Sequence, residues 1–233
     1  MIDKAKNFIR LKNCPEYSAL RAQCIGSLNT KPRNSLKQHQ RLYAVGGRDD
    51  NFEAIASAAV YNPNTDSWSE ISPMTQKRYG VGLTALNDSI YAVGGRDDRG
   101  YTTVERYDVN AKQWFQDVAN MKNAPYHMGV VTLNGYIYAI GGLVRSGATD
   151  RVERYDPIEN TWTDCAPLNT PRYGVGVAVY KHYIYVMGGR DKNSVFDSVE
   201  RSVNRVTLSP HRSLHLEKSI MVAKKMTLEE GKI

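Results

Sequence analysis

The stretch LYAVGG (42–47) decides how this chain folds, because it is written four times: LYAVGG (42–47), IYAVGG (90–95), IYAIGG (137–142) and IYVMGG (184–189). The second glycines fall at 47, 95, 142 and 189, so the period is 48, 47 and 47 residues. A repeat of that length marks a supersecondary unit copied along the chain. Repeat architectures usually work by displaying loops from a rigid frame, so the functional question moves from a catalytic cleft to a surface.

The rest of each repeat keeps register with the glycines. Tyr61, Tyr107 and Tyr155 close the runs AAVYN, VERYD and VERYD, and Trp68, Trp114 and Trp162 each follow their tyrosine by 7 residues. A further run precedes each later double glycine: RYGVGLTALN (78–87), PYHMGVVTLN (125–134) and RYGVGVAVYK (172–181). Each repeat therefore reads as four strand-length runs, punctuated by turn signals such as Asn62-Pro63 and Asp156-Pro157. Ile-Tyr-Ala-Val has no polar alternation, which predicts a sheet buried on both faces. A small antiparallel sheet meets that demand by stacking radially between copies of itself. The expected fold is all-β: a partial propeller of about three to four four-stranded blades over residues 41–201. Its repeats run about 41–74, 78–121, 125–168 and an incomplete 172–201, with non-propeller tails at 1–40 and 202–233.

The double glycine, the ERYD-type tyrosine and the tryptophan beyond it resemble the kelch family of β-propellers, over about residues 41–201. RYGVGVAV and VERYDP are closest to the kelch-like branch, in which BTB and BACK domains precede the propeller. That resemblance implies substrate recognition in cullin-3 ubiquitin ligases: BTB docks the cullin and the propeller holds the substrate. Some relatives bind actin instead, which supplies the alternative of a cytoskeletal scaffold. The chain departs from the pattern in two places. The segment before residue 41 is too short for a BTB domain, so cullin is not expected to bind this chain directly. After Arg201 the tyrosine column falls on Ser202 and the tryptophan column on Ser209, so the sequence reads as a truncated member.

Composition narrows the class further. The chain has 233 residues and a formal net charge of +7. The repeat region alone is −2, residues 1–40 are +6 and residues 202–233 are +3, so the basicity belongs to the tails. No specific nucleic-acid groove is expected, since that needs basic residues interleaved with exposed aromatics. No apolar run approaches a membrane span, and the three cysteines (Cys14, Cys24, Cys165) lack paired spacing. They predict reduced thiols and a cytoplasmic protein. Residues 2–11 have apolar positions near helical spacing, consistent with a BACK-type helix remnant followed by a polar linker, while the C-terminal tail is expected to be mostly disordered.

In the family the turns after the double glycine and before the GVG run lie at one end of the blades and form the partner-binding rim. The first set offers Arg48-Asp49, Arg96-Asp97-Asp98-Arg99, Leu143-Val144-Arg145 and Arg190-Asp191. The second offers Arg78-Tyr79, Tyr126-His127 and Arg172-Tyr173. Arg and Tyr are enriched at binding hot spots, and Arg grips carboxylates or phosphates with two parallel bonds. The expected partner is a protein with an acidic or phosphorylated segment. A recurring Arg-Asp pair can equally cap a turn or bridge to the next blade. His127, where other copies have Gly80 and Gly174, and Leu143-Val144, where they have Arg-Asp, break the symmetry and are the stronger functional candidates. Glu105-Arg106, Glu153-Arg154 and Glu200-Arg201 read as structural ion pairs on a blade strand.

Catalysis is not expected. GVGLTA (80–85) echoes a dinucleotide fingerprint but recurs as a strand, without the helix that motif needs. His211 and His215 have metal-ligand spacing but no third ligand nearby. No catalytic residue, cofactor or metal is assigned.

Overall fold

The computed structural model describes residues 41–202, and the expectations for the two tails lie outside them apart from Ser202. The described residues form sixteen strands and no helix. Four antiparallel sheets follow the four repeats. The first contains β1 (Leu42–Val45), β2 (Ala58–Asn62) and β3 (Ser67–Ile71). The second is β4 (Gly82–Leu86), β5 (Ser89–Val93), β6 (Val104–Asp108) and β7 (Gln113–Phe115). The third is β8 (Gly129–Leu133), β9 (Tyr136–Ile140), β12 (Val152–Asp156) and β13 (Thr161–Asp164). Between β9 and β12 lies the two-residue-stranded hairpin β10 (Leu143–Val144) and β11 (Gly147–Ala148). The fourth sheet is β14 (Gly176–Tyr180), β15 (Tyr183–Met187) and β16 (Val199–Ser202).

Side-chain alternation explains how the sheets stack. One face of each sheet, called trailing here, packs on the opposite, leading face of the next. Tyr91, Val93, Val104 and Leu86 on the second sheet meet Ile137, Ala139, Tyr155 and Trp162 on the third. Tyr43, Val45, Ala58 and Val60 meet Ile90, Ala92 and Tyr107 at the first junction. Leu133, Tyr138, Ile140 and Val152 meet Ile184 and Val186 at the last. This is why β5, with neighbours on both sides, is buried at all five positions, whereas β1 and β15 each expose a residue. Trp114 and Trp162 lock the outer strands by donating their indole N–H to the carbonyls of Ser72 and Ala119 on the preceding repeat, both at 2.8 Å.

Two kinds of glycine allow this spacing. The GVG run ends on Gly82 and Gly129, where an added Cβ would lie 2.1 Å from a Val130 methyl and 2.3 Å from a Val177 methyl. The first residue of each double glycine has φ near +60°, and an added Cβ on Gly46 would sit 2.5 Å from the Arg78 carbonyl oxygen. Gly82→Ala is expected to destabilise the chain by about 1–3 kcal/mol through overpacking, read as a lower midpoint in denaturant unfolding.

Burial also raises the pKa of the tyrosines between sheets. Burial is the largest cause for Tyr43, Tyr91, Tyr107, Tyr138 and Tyr155, and Tyr155 is pushed up from 10.0 to about 12. A raised folded-state pKa means stability fully present below the unfolded value and lost as pH climbs through the folded one. Unfolding midpoints should therefore hold up to pH 10.0 and fall between there and about 12, measured by denaturant titration across alkaline pH.

Candidate partner-binding rim

The two sets of turns that frame the repeats meet in space. Tyr79 exchanges both backbone hydrogen bonds with Arg96, at 2.8 and 3.0 Å. Tyr126 does so with Leu143 (3.0 and 2.8 Å), and Tyr173 with Arg190 (both 2.9 Å). The rim is also tied sideways. His127 N–H donates to the Gly80 carbonyl and Gly174 N–H to the His127 carbonyl, each at 2.7 Å. These bonds need the left-handed conformation at that column: φ is +60° at Gly80, +55° at His127 and +66° at Gly174. Histidine is among the non-glycine residues that enter this region most readily. The His127 side chain then lies against Tyr126 and Tyr79, with ring centroids 5.1 and 6.2 Å apart.

Cations and aromatics alternate along the rim. The Arg48 guanidinium lies 3.6 Å from the centre of the Tyr79 ring. Arg96 lies 4.9 Å from that of Tyr126 and donates to its hydroxyl at 3.2 Å. Arg190 lies 5.8 Å from that of Tyr173. The run breaks at the third repeat, where Leu143-Val144 replaces Arg-Asp and starts the β10–β11 hairpin, with exposed Arg145 at its turn.

The aspartates of the Arg-Asp pairs shape the turns. Asp49 Oδ1 accepts from the N–H of Asn51 and Glu53 (2.9 and 3.0 Å), and Asp191 Oδ1 from those of Asn193 and Ser194 (both 2.7 Å). Asp97 accepts from Arg99 N–H at 2.9 Å and from the Tyr101 hydroxyl at 2.5 Å. The backbone bond from Arg99, followed by the Tyr101 bond, lowers the Asp97 pKa. Burial, followed by the Asp97 bond, pushes Tyr101 up to about 12.

Two expected rim residues are in the interior instead, which corrects that reading. Arg78 is 0% exposed and Arg172 1%. Arg78 donates to the carbonyls of Gly94 and Thr103 (2.7 and 2.8 Å), and its Nη2 lies 3.2 Å from Glu105 Oε1. Arg172 donates to the carbonyls of Gly188 and Ser198 and reaches Glu200 Oε1 at 2.6 Å. Five donors in a rigid fork satisfy carbonyls and a carboxylate that burial would otherwise strand. Burial lowers the Arg78 pKa, and Glu105 opposes that shift. The Glu-Arg neighbours on the strands are not paired with each other either, because adjacent strand residues point to opposite faces. Glu105 faces inward to Arg78, while Arg106 reaches Asp117 at 2.5 Å.

The third repeat has Pro125 in this arginine column. Buried Glu153, like Glu105 and Glu200, accepts a backbone N–H from the linking segment (Lys122, 3.1 Å), and Asn123 Nδ2 at 3.2 Å donates where the other repeats use the guanidinium. Beside it opens a groove of about 600 Å³ between the second and third sheets. Arg96, Arg99, Lys122 and Arg145 line it against a single carboxylate, Asp98, with Asn123, Tyr126 and Val144 completing the walls. Lys122 is held by Asp164, whereas Arg99 and Arg145 make no ion pair among the described residues. Of the residues expected at the rim, the groove gathers Arg96, Asp98, Arg99, Tyr126, Val144 and Arg145; Arg48, Asp49, Tyr79, Asp97, His127, Leu143, Tyr173, Arg190 and Asp191 lie outside its lining. Lys122 and Asn123 were not among the expected rim residues; they sit in the segment joining one sheet to the next, 47 residues beyond Thr75-Gln76. Among the described residues no cluster of three or more His, Cys, Asp or Glu side chains is placed to hold a metal, and no helix is long and apolar enough to cross a membrane.

An all-β stack of this topology, with a rim built from paired loops, is a β-propeller. Residues 33–205 match the KLHDC2/KLHL20/DRC7 Kelch-repeats domain, and the chain belongs to the kelch-repeat family, whose domains are protein-interaction modules.

Removing the Arg78 side chain strands Glu105 in the core. Arg78→Ala should cost about 3–5 kcal/mol in equilibrium unfolding, far more than Arg48→Ala at the exposed rim.

Proposed function

We propose that this propeller is a substrate-recognition module of the kelch-like adaptor lineage that serves cullin-3 ubiquitin ligases in the cytoplasm. Its partner is a protein segment carrying carboxylates or phosphates, held in the groove between the second and third sheets. The observation that supports this reading is the lining of that groove, with four cations against one carboxylate and two of the arginines, Arg99 and Arg145, outside any ion pair among the described residues. A guanidinium free of an internal ion pair offers its full fork to an incoming anion. Tyr126, already fixed by Arg96, supplies a rigid aromatic wall at low conformational cost. Cullin docking is not assigned to the propeller; the module's part is to hold the substrate.

The test is binding of fluorescent acidic and phosphoserine peptides to the whole chain, before and after Arg99→Glu/Arg145→Glu. Both residues are exposed, so the double variant keeps the fold. Affinity should fall at least about tenfold in the variant, with steep weakening in salt. Undiminished peptide binding in the variant would remove the groove from the account. Co-sedimentation with actin filaments that the variant leaves intact would favour the scaffold reading instead.

A further inference from the structure

Among the described residues, two buried side-chain polar atoms find no hydrogen-bond partner: the Tyr138 hydroxyl and the Arg154 Nε. A buried polar group left in that state costs free energy and asks for an explanation. The two are not scattered. Tyr138 on β9 and Arg154 on β12 are register partners, so both side chains leave the trailing face of the third sheet. Tyr138 is 0% exposed. Burial raises its pKa, Arg154 opposes that shift, and Cys165 adds to it. Phenol, guanidinium and thiol therefore share one patch, with Cys165 half-buried at the margin of the apolar cluster that holds Tyr138.

The same columns of the second sheet hold a complete arrangement. Tyr91 stands where Tyr138 does, and Arg106 where Arg154 does. Asp117, three residues beyond Trp114, stands where Cys165 does, three beyond Trp162. Arg106 Nε and Nη2 donate to the two Asp117 oxygens, at 3.2 and 2.5 Å. The bond from Arg106 is the largest cause that holds the Asp117 carboxyl below its usual range. The first sheet carries Val60 and Ile71 in these two columns, apolar on both sides. The first two repeats are thus balanced, one by an apolar pair and one by an ion pair. The third keeps the arginine and puts a thiol in the place of the anion.

We propose that Cys165 is an oxidation site whose sulfinate completes this patch, taking the place on Arg154 that the Asp117 carboxylate takes on Arg106. A sulfinate carries two oxygens, each two bonds from Cβ as in aspartate, and it is an anion at neutral pH. Its oxygens accept from the Arg154 Nε–H and from the Tyr138 hydroxyl. The oxidant is hydrogen peroxide, small enough to reach a half-buried sulfur. In each of two steps the peroxide O–O bond breaks, an S–O bond forms, sulfur gives up two electrons, and the second peroxide oxygen leaves as water. The first step turns the thiol into sulfenic acid and the second into sulfinic acid, which releases its proton to solvent. Ordinary thiols do not reduce that product, so the mark persists. The backbone of Cys165 is held in place, its N–H donating to the Val152 carbonyl at 2.8 Å. Oxidation here strengthens the sheet instead of loosening it.

The experiment uses the whole chain carrying Cys14→Ser and Cys24→Ser, which leaves Cys165 as its one thiol. After peroxide treatment, peptide mass mapping should find two added oxygens on Cys165. Thermal unfolding should then show a midpoint about 2–4 °C above that of the reduced chain. Cys165→Asp should give a similar rise without peroxide. Arg154→Met removes the guanidinium from a column where the first repeat carries Val60, so the fold accommodates it; there oxidation should no longer raise the midpoint. Cys165→Ser, treated alike, reports any effect of methionine oxidation, and its midpoint should not rise. Four results would overturn the proposal: Cys165 remaining a thiol under peroxide; an oxidised chain no more stable than the reduced one; a Cys165→Asp variant that gains nothing, as when a buried water already satisfies Arg154 and Tyr138; or a gain that persists in Arg154→Met or Cys165→Ser.

Discussion

Everything in this propeller depends on how closely one repeat's backbone can approach the next. The second glycine of each of the first three pairs donates its N–H to the carbonyl of the residue entering the following repeat: Gly47 to Arg78, Gly95 to Pro125 and Gly142 to Arg172, at 2.7, 3.0 and 2.8 Å. For the carbonyl to reach that point, the first glycine must be bare. A Cβ on Gly46, Gly94 or Gly141 would lie 2.4–2.6 Å from the accepting oxygen. Glycine satisfies both demands at once, the left-handed φ and the missing side chain. The apolar stacking of the sheets and the paired loops of the rim follow from that contact.

The buried arginines add a second layer to the same joint. Arg78 lends its backbone carbonyl to Gly47 and its guanidinium to the carbonyls of Gly94 and Thr103. One residue thus links the first repeat to the core of the second. A buried ion pair is a poor source of net stability against a well-packed apolar alternative, yet losing half of it is costly. Here its value lies in geometry, since planar donors satisfy carbonyls that a propeller corner leaves pointing inward.

Much of the frame was legible in the sequence because glycine, tyrosine and tryptophan recur for reasons of backbone and packing that hold in every repeat. The unbroken IYAV runs correctly announced sheets buried on two sides, and departed from that only at β1 and β15, where one neighbour is missing among the described residues. The rim was harder to read. Arg78 and Arg172 have the composition of a surface hot spot, and nothing local says that they turn inward. A clue lay in the glutamates: Glu105, Glu153 and Glu200 occupy one column beside the inward valines of VER, so a charge in that register asks for a buried partner. The symmetry-breaking residues of the third repeat, by contrast, were visible as departures, though the groove beside them also needed Lys122 and Asn123, from a linking segment whose other copies have Thr75-Gln76 and Asn169-Thr170 at those positions.

The hairpin in the third repeat shows what such a frame permits. Its loop abandons the aspartate-capped turn used by the other three repeats for a pair of short strands, yet Gly142 still bonds Arg172 and Leu143 still pairs with Tyr126. The spacing from double glycine to tyrosine varies between 12 and 14 residues while the glycine period stays within one residue. Loop and frame are mechanically uncoupled at that backbone bridge. Recognition surfaces can be rewritten one repeat at a time, by insertion, deletion or a change of turn, without the stack having to be rebuilt beneath them.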